Sequence, residues 1–291
     1  MTQKNIVAHI VEQSPNRRSM LRKLGFASAA LTAAATSGTA LNADPANPSP
    51  VDVVQFALNL EYLEAEFYSI ATTGQTLDQR GVDLSGAGTF GPTTTQFGAV
   101  NFANNLVLTA TTAQNIALDE FNHVQIVRNA LLQNGITPIA KPAINLDALM
   151  SQGVGLMNEQ GFLLFDRISA DIGTTAYAGG ASILNGSAFL PTASRILAVE
   201  AQHSANARLS LARLGIVSPQ LDGADVPPPP LGSNLFSTNS ANGLVATRTP
   251  GEVLYLVYGN QANVTSGGFF PNGVNGSIVT SSAPATAAGL S

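Results

Sequence analysis

Two copies of one short pattern, Glu120-Phe-Asn-His123 and Glu200-Ala-Gln-His203, constrain this chain more than any other feature. Three residues is just under one helical turn, so on a helix each Glu and its His share a face. The first face continues as Phe102, Leu106, Thr109, Ala113, Ile116, Glu120, His123, Val127 and Leu131, and the second reads Ile196, Glu200, His203, Ala207, Leu211 and Leu214. The ionisable pairs therefore lie inside apolar stripes. A fold that buries those stripes buries the acids with them. The chain has 3 histidines, and His9, near the N-terminus, is the one outside the pattern.

Burying a lone carboxylate costs on the order of several kcal/mol unless a cation compensates it. Charged residues make up 11% of the chain, with 13 Lys and Arg in all, and few of these share the two stripes. Metal ions resolve the conflict. Carboxylate oxygens and neutral imidazoles suit iron, manganese or zinc, and two dications would offset four carboxylates. A single Glu-x-x-His is more often a surface pair; two on separate buried faces point to a site.

Local signals divide the chain into helices. Ser49-Pro50 with Asp52 reads as a capped start, and Gly74 closes that helix near Thr73. The second is expected over about 101–134, ending at Gly135, and the third over 158–178, stopping at Gly179-Gly180. The fourth runs from near Pro191 to Gly215. A Gly/Thr-rich connection over 74–100 is long enough to carry structure of its own, and a short β-hairpin is expected there. Residues 135–157, with Pro138 and Pro142, can span the length of a bundle as a crossover. Past Gly215 come Pro227 to Pro230 and a Ser/Thr/Asn/Gly-rich tail. Thr249 and Glu252 have capping-box spacing before an apolar run, so one short helix is expected there, packed on the bundle. The expected fold is all-α: a four-helix bundle with a long crossover over 44–216, and a Pro-rich linker and low-complexity tail over 217–291. Hydrophobic residues at 45% of the chain are enough for an extensive core.

A two-metal carboxylate bundle needs an acid from each of the other two helices. In the first, Glu61 falls on the stripe Val54, Leu58, Glu61, Ala65, Tyr68 and is the expected ligand; Glu64 can assist, while Glu66 is expected to be solvated. Tyr68 is read first as a core tyrosine with a satisfied hydroxyl, and second as a phenol serving the site. The third helix offers Glu159, Asp166 and Asp171. Asp166 shares a stripe with Phe162, Ser169 and Ile172, whereas Asp171 lies about 140° around the helix from Asp166. Asp166 is therefore the candidate, with a structural ion pair to an arginine as its alternative.

Residues 16–23, with Arg17-Arg18, precede a mild Ala/Leu/Thr run that Ser28, Thr36 and Gly38 interrupt. This reads as a twin-arginine export signal over 1–43, cleaved after Ala43, and is too weak for a membrane span. The expected location is periplasmic or extracellular. Cleavage would remove five of the 13 basic and one of the 18 acidic residues, moving the formal charge from −5 to −9. No basic cluster would remain for a phosphate backbone, so nucleic acid is excluded as a partner. The absence of Cys removes disulfides, thiolate sites and catalytic Cys. An oligomer is compatible with the sequence but not encoded by any feature of it.

Four stretches together carry a resemblance: Leu60-Glu61-Tyr-Leu-Glu64-Ala-Glu-Phe-Tyr68, Asp119-Glu120-Phe-Asn-His123-Val, Gly173-Thr-Thr-Ala-Tyr177, and Ile196-Leu-Ala-Val-Glu200-Ala-Gln-His203. The chain resembles the exported branch of the ferritin-like domain superfamily that also includes plant desiccation-related proteins. The resemblance implies Glu61, Glu120, His123, Glu200 and His203 as metal ligands. It implies two metal ions, iron first and manganese second. Such domains often carry Glu-Asp before Gly-x-x-Ala-Tyr, where this chain has Ala170-Asp171, so Asp166 is the substitute on that helix. Two functions follow as expectations. One is a redox-active metal protein reacting with dioxygen or peroxide, as a ferroxidase, peroxidase or oxidase. The other is a structural, stress-associated bundle with a degenerate site. Iron storage in a cage ranks behind both. A hydrolase is disfavoured, because no third histidine is available and no nucleophile motif stands out.

Overall fold

In the computed structural model the described residues are 44–104, 109–148 and 158–284. The export signal assigned to 1–43 lies outside them.

Helix α1 spans Pro50–Thr73 and begins as its sequence predicts. The Ser49 hydroxyl accepts from the Asp52 N–H while the Asp52 carboxylate accepts from the Ser49 N–H, with Pro50 in the first turn. At the far end Gly74 takes a left-handed conformation, φ 74°, and its N–H reaches the Ile70 carbonyl. Helix α2 covers Thr109–Gln133, shorter than the expected 101–134. Phe102 precedes it in irregular backbone, and Leu106 lies outside the described residues. Helix α3 runs Glu159–Gly180, continuing through both glycines expected to stop it, and α4 runs Leu190–Leu214, closed by Gly215. The predicted capping box at Thr249 and Glu252 opens α5, Pro250–Val257.

The chain forms two helical hairpins, α1 against α2 and α3 against α4. Their burial differs. Every residue of α1 from Leu58 to Ala71, and of α3 from Gly161 to Thr175, is buried, whereas α2 and α4 bury one face each. A helix covered on all sides needs cover beyond its bundle neighbours, and here the connections and the C-terminal region supply it.

The expected β-hairpin over 74–100 is not what forms. Thr93–Thr94 (β1) instead pairs in parallel with Ile144–Asn145 (β2) in the crossover, so two remote connections support each other. Beyond its one short helix, the C-terminal region also packs on the bundle. Tyr258, Phe269 and Phe270 are buried in the core. Asn275 exchanges hydrogen bonds with Asn59 of α1 and donates to the carbonyls of Thr89 and Ala140, tying three segments together. Gly179 shows how closely this region lies on α3: a Cβ there would sit 2.1 Å from the Arg248 carbonyl oxygen. No helix among the described residues is long and apolar enough to cross a membrane.

Candidate metal centre

The two Glu-x-x-His pairs face inward toward each other. Glu120 and His123 of α2, and Glu200 and His203 of α4, are all buried, as is Glu61 of α1. Their geometry centres on His123. Its Nδ1 lies 3.2 Å from Glu120 Oε2, 3.3 Å from Glu61 Oε2 and 3.6 Å from Glu200 Oε1. One ring nitrogen carries at most one hydrogen and can serve at most one of these oxygens well. Ligand atoms from Glu61, Glu120, His123 and Glu200 all lie within 4.8 Å of one another, a set able to hold a metal ion.

Glu120 extends the cluster to the second histidine. Its Oε1 stands 3.0 Å from His203 Nδ1, so its two oxygens face two different imidazoles. The far nitrogen of His203, Nε2, lies 3.2 Å from the half-exposed carboxylate of Asp119. That contact fixes the ring's orientation with Nδ1 toward the interior. The ring centroids of His123 and His203 are 6.4 Å apart.

Asp166 and Glu64 are buried as well and feel the charges of the cluster, though neither is among the four residues whose ligand atoms gather within 4.8 Å. Asp166 is fully buried and accepts from the Tyr68 hydroxyl at 2.9 Å, so Tyr68 is a buried tyrosine whose hydroxyl is satisfied by a candidate ligand. Burial pushes the Asp166 carboxyl up to about 7, opposed by the nearby His203 and the Tyr68 hydrogen bond. Glu64 is held well above the usual range by burial and then by the charges of Glu120 and Glu61. Burial likewise raises Glu61 and Glu200, and the charge of Glu64 is the largest of those raising Glu200 further. Glu120 is the exception. Burial would raise it too, but the His123 hydrogen bond, the close His203 nitrogen and the charge of both imidazoles hold it at about 2. His123 rises to about 11, burial being outweighed by Glu61 and Glu120.

The donor set fits a metal on the structure's own terms. Glu61 Oε2, both oxygens of Glu200, Glu120 Oε1 and Asp166 Oδ2 are buried without a hydrogen bond. For Glu61 Oε2 and Glu120 Oε1 the nearby imidazole nitrogens are close contacts whose alignment is not that of a hydrogen bond. Among the described residues no Lys or Arg pairs with any of these carboxylates. Acceptor oxygens clustered in a dry interior without cations are costly for the bare protein and are the environment a hard or borderline metal ion prefers.

Two expectations need correction or extension. Glu66, expected in solvent, is fully buried; its carboxylate lies 3.4 Å from Lys141 Nζ and accepts from the Leu77 N–H. The loop over 74–100 and the crossover wrap around that side of α1, which the helical period alone does not reveal. Asp171 does point away from the site, into a pair with Arg167 and Arg208. Two further residues shape the cluster. The Tyr177 hydroxyl donates to Glu61 Oε1. Gly173 lets Glu200 approach α3, since a Cβ there would stand 2.5 Å from Glu200 Oε2. Both belong to the Gly173-Thr-Thr-Ala-Tyr177 motif, whose glycine inside a buried helix was the available sequence signal.

A four-helix bundle that gathers Glu and His from facing helices into a buried cluster is the architecture of carboxylate-type metal proteins. The chain belongs to the ferritin-like domain family, whose match covers residues 49–213, more than half of the chain. It is also similar to the ferritin-like catalase Nec2 of Nesocodon mauritianus, at 27% identity over 273 residues, covering 78% of this chain and 84% of that protein. No solved structure gives a significant match.

Proposed function

We propose that this protein binds two metal ions, iron first and manganese second, in the Glu/His cluster and uses them to react with peroxide or dioxygen. The observation that carries the reading is the set of buried carboxylate oxygens with neither a hydrogen-bond donor nor a Lys or Arg to balance them. Glu61, Glu200 and His123 would hold one ion. His203, Asp166 and Glu64 would hold the other, with Glu120 between them because its oxygens already face both imidazoles. A carboxylate-bound metal pair supplies redox reactivity toward peroxide or dioxygen when present. The chain's own residues do the positioning: Asp119 orients His203, and Tyr177 holds Glu61 through its hydroxyl. The named activity of the similar Nec2 protein favours peroxide as the oxidant.

Metal analysis of the purified protein, with peroxide consumption followed alongside, tests this reading. About two ions per chain are expected, with loss of both metal and peroxide turnover in a Glu120→Ala/His203→Ala double variant. Protein that stays metal-free after expression with iron and manganese would remove the proposal.

Ala170 favours a second reading, a stress-associated structural bundle whose site has lapsed, because the acid that α3 often carries there is absent. Under it the double variant keeps the fold and chelation leaves stability unchanged. We also propose export by the twin-arginine route to the periplasm or beyond, on the strength of Arg17-Arg18 and the mild apolar run that follows. Replacing both arginines with lysine should trap the protein in the cytoplasm; unchanged export would reject that route.

A further inference from the structure

The Glu/His cluster is walled unevenly. Helices α1 and α3 are covered on every side around it, so a path across either would have to cross the loops or the C-terminal region as well. Helices α2 and α4 bury one face each and turn the other to solvent. They belong to different hairpins, and each packs chiefly on its own hairpin partner rather than on the other. The seam between α2 and α4 is therefore the thinnest part of the wall. Exposure of the cluster residues agrees: Glu120, Glu200 and Asp166 have none, and His203 keeps the most, 6%.

Asp119 stands at that seam on its outer side. Its side chain is 47% exposed, and its Oδ2 lies 3.2 Å from His203 Nε2. The other nitrogen of the same ring meets Glu120 Oε1 at 3.0 Å. Asp119, His203 and Glu120 thus form an unbroken line of metal-ligating groups from water to the interior. Consecutive residues on a helix point about 100° apart, so one step of sequence puts Glu120 inside and Asp119 at the rim. Charge marks the same spot. The acids of α2 and α4 are Asp119, Glu120 and Glu200, and of these only Asp119 reaches water. No Lys or Arg pairs with it among the described residues. The exposed residues nearby on the two helices, Asn115, Asn122, Gln202 and Asn206, are uncharged. A lone fixed anion on a neutral surface draws cations to itself.

We propose that Asp119 is the entry point through which divalent cations reach the cluster, beyond its part in orienting His203. An Asp119 carboxylate that takes a cation at the rim lets go of the imidazole, and the released His203 ring is free to turn and open the seam. This role rests on the metal-centre reading and gives that site its path of loading.

Stopped-flow mixing of full-length, metal-free protein with Co²⁺, followed by the visible absorbance of the bound ion, tests the entry role without any turnover. Asp119→Asn keeps an amide oxygen to accept from His203 Nε2 and removes the charge. Its second-order uptake rate should fall at least about tenfold at low salt, the lower end of what charge steering supplies. The amount of Co²⁺ bound at saturation should stay the same, and added salt should narrow the gap between wild type and variant. Asn122→Lys puts a cation one turn from Asp119 and should slow uptake as well; Gln133→Lys, about 21 Å along α2, should not. A residue that only orients His203 would instead leave uptake alone and speed release. An Asp119→Asn rate equal to that of the wild type, or equal slowing by the two lysines, would overturn the entry role and leave the metal centre standing. Wild-type protein that binds no Co²⁺ would sink the metal-centre reading and the entry role with it.

Discussion

Two buried charged clusters lie on neighbouring faces of α3 and solve the same problem in opposite ways. On one face Asp171 receives Arg167 Nε at 2.9 Å, Arg208 at 2.7 Å and the Ser204 hydroxyl. Arg167 also grips Asp225, and Arg208 donates to the carbonyls of Val226, Asn234 and Leu235. There charge balances within the protein, and the arginines pin residues 217–235 onto the bundle. On the other face Asp166 joins Glu61, Glu64, Glu120 and Glu200, and the nearest positive groups are two imidazoles. One cluster is balanced as folded; the other has no Lys or Arg paired with it among the described residues and is a set able to hold a metal ion. Burial is therefore a poor guide to function, and the presence or absence of internal compensation is the better one.

The largest effect should come from breaking the balanced cluster. Arg208→Ala leaves Asp171 short of a partner and three carbonyls without a donor, and should destabilise the fold by about 3–5 kcal/mol, read from urea unfolding. A loss under about 1 kcal/mol would mean that these pairs add little beyond packing.

Next comes removal of cations from the unbalanced cluster. Chelation of loaded protein should lower stability by about 2.7 kcal/mol at free metal a hundredfold above Kd. The Arg208→Ala protein should lose a similar amount again, because the two clusters solve separate problems. An unfolding midpoint that ignores chelation would favour the lapsed-site reading.

The smallest effect tests how finely the site is built. Gly173→Ala places a methyl 2.5 Å from Glu200 Oε2, so the carboxylate must move aside. Metal affinity should fall about 10–100-fold, the scale seen when the surroundings of metal ligands are disturbed. Metal-free stability should change far less, since alanine favours helix over glycine. Unaltered affinity would show that Glu200 has room to adapt.

Much of the fold was legible without coordinates. Ser49-Pro50, Gly74, Gly135, Gly215 and the Thr249–Glu252 pair mark helix boundaries through local chemistry, and each does what its type implies. The burial of Glu120, His123, Glu200, His203 and Glu61 was legible because a fixed helical period places each on a stripe of apolar neighbours. Asp166 and Asp171 separated correctly for the same reason. Glu66 was misread because it lies on the side of α1 facing the loop over 74–100 and the crossover, whose path no local pattern specifies.

The amino-acid sequence by itself determined which residues share a helix face, where most helices start and stop, and that two histidines are buried beside acids. Tertiary structure decided what covers the remaining faces: Lys141 against Glu66, Tyr177 against Glu61, Asp119 against His203, and the aromatic residues of the C-terminal region against the bundle. The physical reason is range. Caps and periodicity act within a turn or two of backbone, whereas the partner of a buried side chain is set by segments tens or hundreds of residues away, brought together when the whole core closes.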